Sequence, residues 1–269
     1  MKFTFLFVAL VSSMGLFSQV YPQTGARSNG MGTASLCLVD AWSVYNNPGA
    51  FGSLDHNEVG ISYENRYLLK ELSTQALAAG FHTKKAGNIG VHFQQYGFNL
   101  YHELIGGLTY GMKLFKNFSA GVQLNYHRIA LAENYGSKNT VSAGLGLYYQ
   151  LNKSFNLGMR VLNITRTRLS GQQDERLPTT FNLGAVYRFS EKVLWSVEAE
   201  KTMINPINFK SGIEFKPHEV VALRLGINSY PFQSSFGFGL KLKKIQFDMA
   251  AMWHSRLGMS PSAALKMSF

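Results

Sequence analysis

The nearest approach to a catalytic pair in this sequence is His254 followed at once by Ser255. A histidine base beside a serine nucleophile would be typical of a hydrolase. Adjacent residues of a strand point to opposite faces, however, and neither a Gly-x-Ser-x-Gly turn nor a nearby carboxylate completes the site. We therefore expect that the protein is not an enzyme and has no catalytic residues.

Residues that bind metals or cofactors show no suitable spacing either. The seven histidines are scattered singly, and none stands with carboxylates at ligand spacing. The segments Gly237-Phe238-Gly239 and Gly144-Leu145-Gly146 resemble phosphate loops, but both lie inside alternating segments and are better interpreted as small positions facing a lumen. Cys37 is the single cysteine, so no disulfide forms within the chain. We expect no metal and no cofactor.

The dominant pattern from residue 57 onward is a repeated segment of roughly ten to fifteen residues in which apolar and small or polar residues alternate. In the clearest case Val122 and Leu124 alternate with Gln123 and Asn125, so that one face suits lipid and the other water. Fourteen such segments begin near residues 57, 73, 87, 101, 118, 139, 154, 179, 193, 207, 220, 234, 245 and 260. The pattern predicts an all-β fold, a closed antiparallel transmembrane β-barrel of about fourteen strands. Twelve strands are an open alternative, because residues 68–71 blur the boundary of the first two.

The lengths of the connections support this topology independently. Tight turns are expected at 116–117, 152–154, 190–192, 216–219 and 243–244, and longer loops at 132–138, 165–178, 202–207 and 254–260. Short periplasmic turns and longer outward loops alternate in this way when the chain begins in the periplasm.

The last predicted strand carries Leu265, Met267 and the terminal Phe269 on its apolar face. A final strand that ends in phenylalanine resembles the signal recognised by the outer-membrane barrel-assembly machinery. Pairing with the first strand would also cover an edge that otherwise invites aggregation.

Charged residues fall on the inward face if the apolar face meets lipid. They are Arg160, Arg188, Glu198, Glu214, Arg224, Lys241, Asp248 and Lys266, together with Glu200 and Lys210. The predicted registers bring Glu214 near Arg224 and Lys241 diagonally near Asp248. These charges form either ion pairs that fill the lumen or a charged constriction that selects solutes.

The first residues and the composition indicate where the chain resides. Lys2 and a short apolar run are typical of a secretory signal, which we place at residues 1–19, and no later apolar run is long enough for a membrane helix. Hydrophobic residues make up 46% and charged residues only 15%, which suits strands in outer-membrane lipid. The net charge of +11 is compatible with nucleic acid, but export argues against that partner. We expect a location in the outer membrane of a Gram-negative bacterium.

Residues 20–56 break the strand pattern before the barrel at 57–269. Glycines and an Asn-Pro turn dominate this segment, and Asp40 is placed to cap a short helix that ends before Pro48. We predict a compact, partly helical hatch inside the lumen. Its candidate residues are Arg27, Gly30, Gly32, Asp40, Trp42, Asn46, Asn47 and Pro48.

Three motifs of this segment resemble those of the FadL-type superfamily, including its PorV/PorQ branch in Bacteroidetes. They are Gly-Ala-Arg-Ser-x-Gly-Met-Gly from Gly25, Asp-Ala-Trp-Ser from Asp40, and Asn-Asn-Pro-Gly from Asn46, where Gly49 replaces the family's alanine. The likeness covers nearly the whole mature chain, although only the hatch motifs are distinctive.

The resemblance implies two different activities. FadL-like members pass hydrophobic molecules through a barrel, whereas PorV- and PorQ-like members serve type IX secretion by binding cargo or machinery. The outward loops are short, which favours an accessory role in type IX secretion or surface-protein attachment, with secretion components as partners. The alternative is passive transport of a small hydrophobic ligand, against which the interior charges argue.

Overall fold

The computed structural model of the chain describes residues 23–84, 86–131, 136–168 and 176–269. The predicted signal segment 1–19 and the first three residues of the predicted hatch lie outside these ranges. Within the described ranges, no helix has the length and apolar character needed to cross a bilayer.

In the part of the chain that the structure describes, three short helices precede fourteen strands. The helices are α1 (Ala26–Gly30), α2 (Ser43–Asn46) and α3 (Pro48–Phe51). The strands are β1 (Glu58–Asn65), β2 (Ser73–Thr83), β3 (Gly87–Phe98), β4 (Tyr101–Phe115), β5 (Phe118–Leu131), β6 (Ser137–Gln150), β7 (Phe155–Leu162), β8 (Thr180–Arg188), β9 (Val193–Thr202), β10 (Asn208–His218), β11 (Val221–Ser229), β12 (Phe232–Leu242), β13 (Ile245–His254) and β14 (Gly258–Ser268). Two 3₁₀ turns, Arg66–Leu68 and Lys70–Leu72, connect β1 to β2.

Every strand pairs antiparallel with its sequence neighbours, and β1 pairs with β14 to close the barrel. At this seam Glu58 lies opposite Ser268 and Tyr63 opposite Ala263. The prediction of fourteen strands is confirmed, and the alternative of twelve is wrong. Residues 68–71, which blurred the first hairpin, lie in its 3₁₀ connection.

The two faces of the wall follow the period of two in the sequence. In β5 Gln123 and Asn125 are buried towards the lumen, whereas Val122 and Leu124 are 45% and 54% exposed on the outer face. Aromatic side chains cluster outside near the short turns, where Phe118 contacts Phe115 and Tyr149. An apolar outer band bordered by aromatic residues is typical of a barrel that spans a membrane.

The predicted short turns all lie at one end of the barrel, the turn end, which also carries both barrel termini, and the predicted longer loops lie at the opposite loop end. The alternation in length is incomplete, because the connections 99–100 and 230–231 at the loop end have only two residues each. Two boundaries differ from the prediction. Strand β10 continues to His218, so its turn comprises only residues 219–220, and the last loop shrinks to residues 255–257. His254 accepts hydrogen bonds from the backbone N–H groups of Arg256 and Leu257, so it stabilises this tight loop.

The segment before the barrel lies inside it, and nearly all of its residues from 23 to 54 are buried. Asp40 accepts a hydrogen bond from the Trp42 N–H at 3.0 Å, but α2 begins at Ser43 with Trp42 as its N-cap residue. The carboxylate therefore stabilises the turn that leads into the helix, not the cap position itself. Helix α2 ends before Pro48, as expected.

Candidate functional site

The hatch packs backbone to backbone against glycines of the barrel wall. A Cβ atom added at Gly226 would overlap the backbone of Met31 and Gly32, and one added at Gly121 would overlap the Pro48 carbonyl. Gly32 itself has a φ of +62°, in the left-handed region that favours glycine. Lumen-facing glycines on β4, β5, β6, β10, β11 and β12 therefore let the hatch approach the wall from several sides.

Asn47 joins the hatch to the wall through one amide. Its Nδ2 donates to the carbonyl oxygens of Leu36 at 2.9 Å and Leu147 at 3.2 Å, and its Oδ1 accepts from the Gly49 N–H at 2.9 Å. Pro48 occupies the first turn of α3, where no N–H is required. The Asn-Pro pair thus caps α3 and fixes it to β6.

The other predicted hatch residues lie in the same buried segment. Asn46 exchanges two hydrogen bonds of 3.1 Å with the backbone of Thr24. The indole of Trp42 packs over Gly25 and Gly60, while Gly30 and Gly32 are both hydrogen-bonded to the Ser235 hydroxyl on β12. These contacts tie the beginning of the hatch to its end and to the wall.

A buried chain of ion pairs connects the hatch to β10, β11 and β13. Arg27 donates to both carboxylate oxygens of Glu214 at 2.8 and 2.9 Å, and Arg224 donates to Glu214 and Asp248, each at 2.7 Å. Glu214 and Arg224 lie directly opposite each other, so their predicted pairing is confirmed. Bidentate arginine–carboxylate geometry fixes orientation as well as charge.

Asp40 continues this chain on the other side of Arg27. Its Oδ2 lies 3.0 Å from the Arg27 Nη1 and 3.6 Å from the Lys266 Nζ on β14. Burial acts to raise the pKa of Asp40, but Lys266 and Arg27 together hold it below its ordinary value. Lys266 also lies 3.6 Å from Glu58 on β1, so the ion pairs cross the closing seam.

Three predicted lumen charges have different surroundings. Arg160 is buried and donates to the Tyr45 carbonyl and to Asn182. Arg188 is half-buried at the turn end. The diagonal register predicted for Lys241 and Asp248 is confirmed, because Lys241 lies opposite Gln246 and Gly239 lies opposite Asp248. Lys241 is nevertheless exposed at the turn end of β12, and Asp248 binds Arg224 and Gln246.

A cavity of about 290 Å³ lies at the loop end of the lumen, above the hatch. Gln23, Asn29 and Thr33 of the hatch form its floor. Among the described residues, side chains from β1, β8 to β14 and their loops form its walls: Glu64, Arg66, Tyr67, Pro178, Thr180, Glu200, Thr202, Ile204, Asn205, Pro206, Asn208, Lys210, Asn228, Tyr230, Pro231, Gln233, Met252 and Ser260. Its size is close to the lower end for ligand pockets, so it suits a small molecule.

The charges that line this cavity are already paired. Arg66 Nε lies 3.1 Å from Glu64, and Lys210 Nζ lies 2.8 Å from Glu200 and 3.3 Å from Glu198. Glu198 in turn accepts from Gln23 at 2.7 Å, which attaches the cavity floor to β9. The cavity therefore presents hydrogen-bonding groups with no net formal charge.

An apolar groove of about 720 Å³ marks the outer wall across β7 to β12. Ala185, Val197 and Ala199 form part of its floor, and Trp195 and Phe209 stand among its lining residues. Because these side chains belong to the lipid-facing band, the groove meets the bilayer and not the lumen.

Several residues of the lumen cavity had no distinctive signal in the sequence. Gln23, Asn29, Tyr67 and Tyr230 are ordinary residues of a turn-rich segment or of loops. Only the closure of the barrel brings them to one place, since they come from opposite ends of the chain. Glu64 and Arg66 were detectable in principle, because opposite charges two residues apart at a strand end share one face.

Comparisons with known proteins give a likeness in structure only. A scan against protein-family models and a search of curated proteins found no match. The toluene transporter TodX of P. putida superposes with a TM-score of 0.71 at 12% identity, covering 93% of this chain and 99% of that one. The Ralstonia pickettii toluene transporter TbuX gives 0.71 at 10% identity with the same coverage, and the monoaromatic hydrocarbon channel CymD gives 0.67 at 12%, covering 91% and 97%.

These neighbours are FadL-type outer-membrane barrels, and a FadL homologue of Pseudomonas aeruginosa also superposes, with a TM-score of 0.61. At such identities the likeness concerns the fold. The protein is thus a closed fourteen-stranded β-barrel with the same fold as these neighbours, which are transporters and channels.

Proposed function

We propose that the protein is a passive channel in the outer membrane that admits small, largely apolar molecules from the medium. The observation that carries this proposal is the cavity at the loop end, which is closed beneath by Gln23, Asn29 and Thr33 of the hatch. A site of this kind holds a small ligand before it passes the hatch. The FadL fold, which TodX and TbuX share, supports the same conclusion.

The outer-membrane location belongs to the same proposal, with export by a signal segment at residues 1–19. The lipid-facing side chains of β5 and the aromatic residues Phe115, Phe118 and Tyr149 support it, because they form the surface that outer-membrane lipid requires.

A role in type IX secretion, as in PorV- and PorQ-like barrels, rests on the hatch motifs and on the short outward loops. The residues of those motifs have structural roles in this chain. Asn47 and Pro48 cap α3 and fix it to the wall, and Arg27 pairs with Asp40 and Glu214. The motifs therefore do not require a secretion partner. We place transport first, which reverses the order that the short loops favoured.

The two functions separate in a strain that lacks the gene. We expect slower uptake of small aromatic compounds and an unchanged set of proteins at the cell surface and in the medium. Complementation with Ile204→Trp, which narrows the cavity mouth, should restore uptake poorly. Leu257→Trp is the matched control, because Leu257 is similarly exposed on a loop but does not line the cavity. Loss of surface proteins with normal uptake would contradict the transport proposal.

A further inference from the structure

The cavity changes character with depth. Its mouth is formed by apolar side chains of the loops, among them Tyr67, Ile204 and Tyr230, and the last two are 58% and 47% exposed. Its inner part is formed by polar side chains such as Asn29 and Thr180, which are only 2% and 6% exposed. An apolar molecule that fills the cavity would leave these inner polar groups without water, which costs free energy.

The inner polar groups are uncharged or paired. Glu200 is held by Lys210, and Glu64 is held by Arg66. A charged ligand would have to enter a low-dielectric site without a free counter-charge, and this is unfavourable. Hydroxyl and amide groups remain as hydrogen-bonding partners, including Thr180 and Thr202, whose hydroxyl oxygens lie 3.1 Å apart.

We propose that the ligand is a small uncharged amphipathic molecule, of the class of a phenol or aromatic alcohol, whose hydroxyl group points towards the hatch. This inference rests on the proposed transport function and specifies its substrate. The apolar ring lies between the loop residues at the mouth, while the hydroxyl group replaces water among the inner polar side chains. A pure hydrocarbon fits the mouth only, and a carboxylate fits neither part.

The test uses three probes that share a methyl-substituted benzene ring and differ in the polar group: 4-methylphenol, toluene and 4-methylbenzoate. Their uptake is measured in intact cells that lack the gene and in the same cells carrying the full-length chain. We expect the protein to accelerate entry of 4-methylphenol more than entry of toluene, and 4-methylbenzoate least. This comparison needs no variant and therefore does not depend on how a substitution folds.

A paired substitution tests the inner polar groups directly. Thr180→Val with Thr202→Val removes both hydroxyl groups of a bonded pair, so neither is left unsatisfied and the barrel should fold. We expect about two- to tenfold slower uptake of 4-methylphenol, the equivalent of one hydrogen bond, with toluene uptake unchanged or faster. Thr165→Val with Thr167→Val is the control, since that hydroxyl pair, 2.6 Å apart, lies outside the cavity. It also removes hydrogen bonds to Asn163 and to the Val141 carbonyl, so it is a strict control for a general loss of stability.

The outcomes distinguish the two levels of the proposal. If the chain accelerates none of the three probes, the transport function fails and the inference fails with it. If the chain accelerates entry of toluene as much as entry of 4-methylphenol, or accelerates 4-methylbenzoate most, only the inference is overturned. Equal effects of the cavity pair and the control pair on 4-methylphenol would overturn it as well.

Discussion

Arg27 of the hatch holds both carboxylate oxygens of Glu214 on β10, at 2.8 and 2.9 Å, and this pair joins the two halves of the buried ion chain. Glu214 also receives Arg224, so one carboxylate neutralises two guanidinium groups. Arg27 has a second partner in Asp40, which has Lys266 in addition. The consequences of losing either residue are therefore unequal.

We predict that Glu214→Gln destabilises the barrel more than Arg27→Met. The glutamine removes a shared, fully buried carboxylate from two neighbouring guanidinium groups, so that Arg27 keeps only Asp40 and Arg224 keeps only Asp248, which costs about 3–5 kcal/mol. Methionine at position 27 leaves Glu214 with Arg224 and Asp40 with Lys266, so the cost is that of lost charged hydrogen bonds, about 1–3 kcal/mol. Urea midpoints of both variants refolded in phospholipid vesicles check this order, and the reverse order would contradict the network.

Asn47→Asp should loosen the hatch. The aspartate cannot donate, so the carbonyl oxygens of Leu36 and Leu147 would face a buried carboxylate, at a cost of about 3 kcal/mol or more. Protease digestion of the folded protein should then cleave within residues 23–54. Asn152→Asp is the control, because Asn152 Oδ1 only accepts hydrogen bonds in its exposed turn. Equal resistance of both variants would show that the amide does not fix the hatch.

Gly226→Ala should be poorly tolerated and Gly106→Ala well tolerated. Both glycines are in strands, but an added Cβ at Gly226 overlaps the hatch backbone, whereas one at Gly106 meets no atom within 4 Å. Overpacking typically costs about 1–3 kcal/mol. Heat-modifiable migration on gels and urea midpoints measure the difference. Similar values for the two variants would argue against close contact between hatch and wall.

His56 gives a pH dependence to the turn end. Partial burial lowers its pKa, but hydrogen bonds with Asp55 and Glu58 raise it above the ordinary value of 6.5. A raised pKa stabilises the folded state below about pH 6.5, and this contribution is lost as the pH rises through the folded-state pKa. The ring is 44% exposed, so the effect should stay below about 1 kcal/mol. The urea midpoints measured at about pH 6 and at about pH 8.5 should differ less for His56→Gln than for the wild type. The same difference in both proteins would contradict a role of His56 in the pH dependence.

Deletion of Phe269 should slow insertion into the outer membrane in cells. Its backbone N–H donates to the Asn57 carbonyl at 3.0 Å beside the seam, and its ring completes the final apolar face. Phe269→Tyr keeps an aromatic terminus and should insert normally. The fraction of heat-modifiable protein in isolated outer membranes measures this, and normal insertion of the shortened chain would refute an assembly role for Phe269.

The strands were predictable because each carries its own signal. In β5 the alternation of Val122 and Leu124 with Gln123 and Asn125 reflects the apolar outer face and the polar lumen face of the strand. This pattern is visible without knowledge of any distant contact. The prediction for Glu214 and Arg224 succeeded because both face the lumen near the same short connection, and an irregularity between Phe215 and His218 brings them directly opposite each other. The diagonal register of Lys241 and Asp248 was predictable too, but alternation gives the face of a residue and not whether the barrel end exposes it. The pairing of Asp248 with Arg224 could therefore not be foreseen.

The cavity could not be predicted in the same way. Its floor comes from Asn29 near the beginning of the chain and its wall from Ser260 near the end, and closure between β1 and β14 brings them together. The hatch was recognisable as a segment by Asn47 and Pro48, but its depth in the lumen depends on glycines spread over many strands. Such information is distributed along the chain and has no local pattern.

The close fit of hatch and wall also constrains the order of assembly. The hatch backbone contacts the wall backbone on two sides, at Gly226 against Gly32 and at Gly121 against Pro48. We expect that the hatch takes its place while the sheet is still open, because so close a fit is difficult to reach from outside a closed barrel. Strands β1 and β14 would then pair around a hatch that is already in place. Lys266 of β14 would form its ion pairs with Asp40 of the hatch and Glu58 of β1 in the same step.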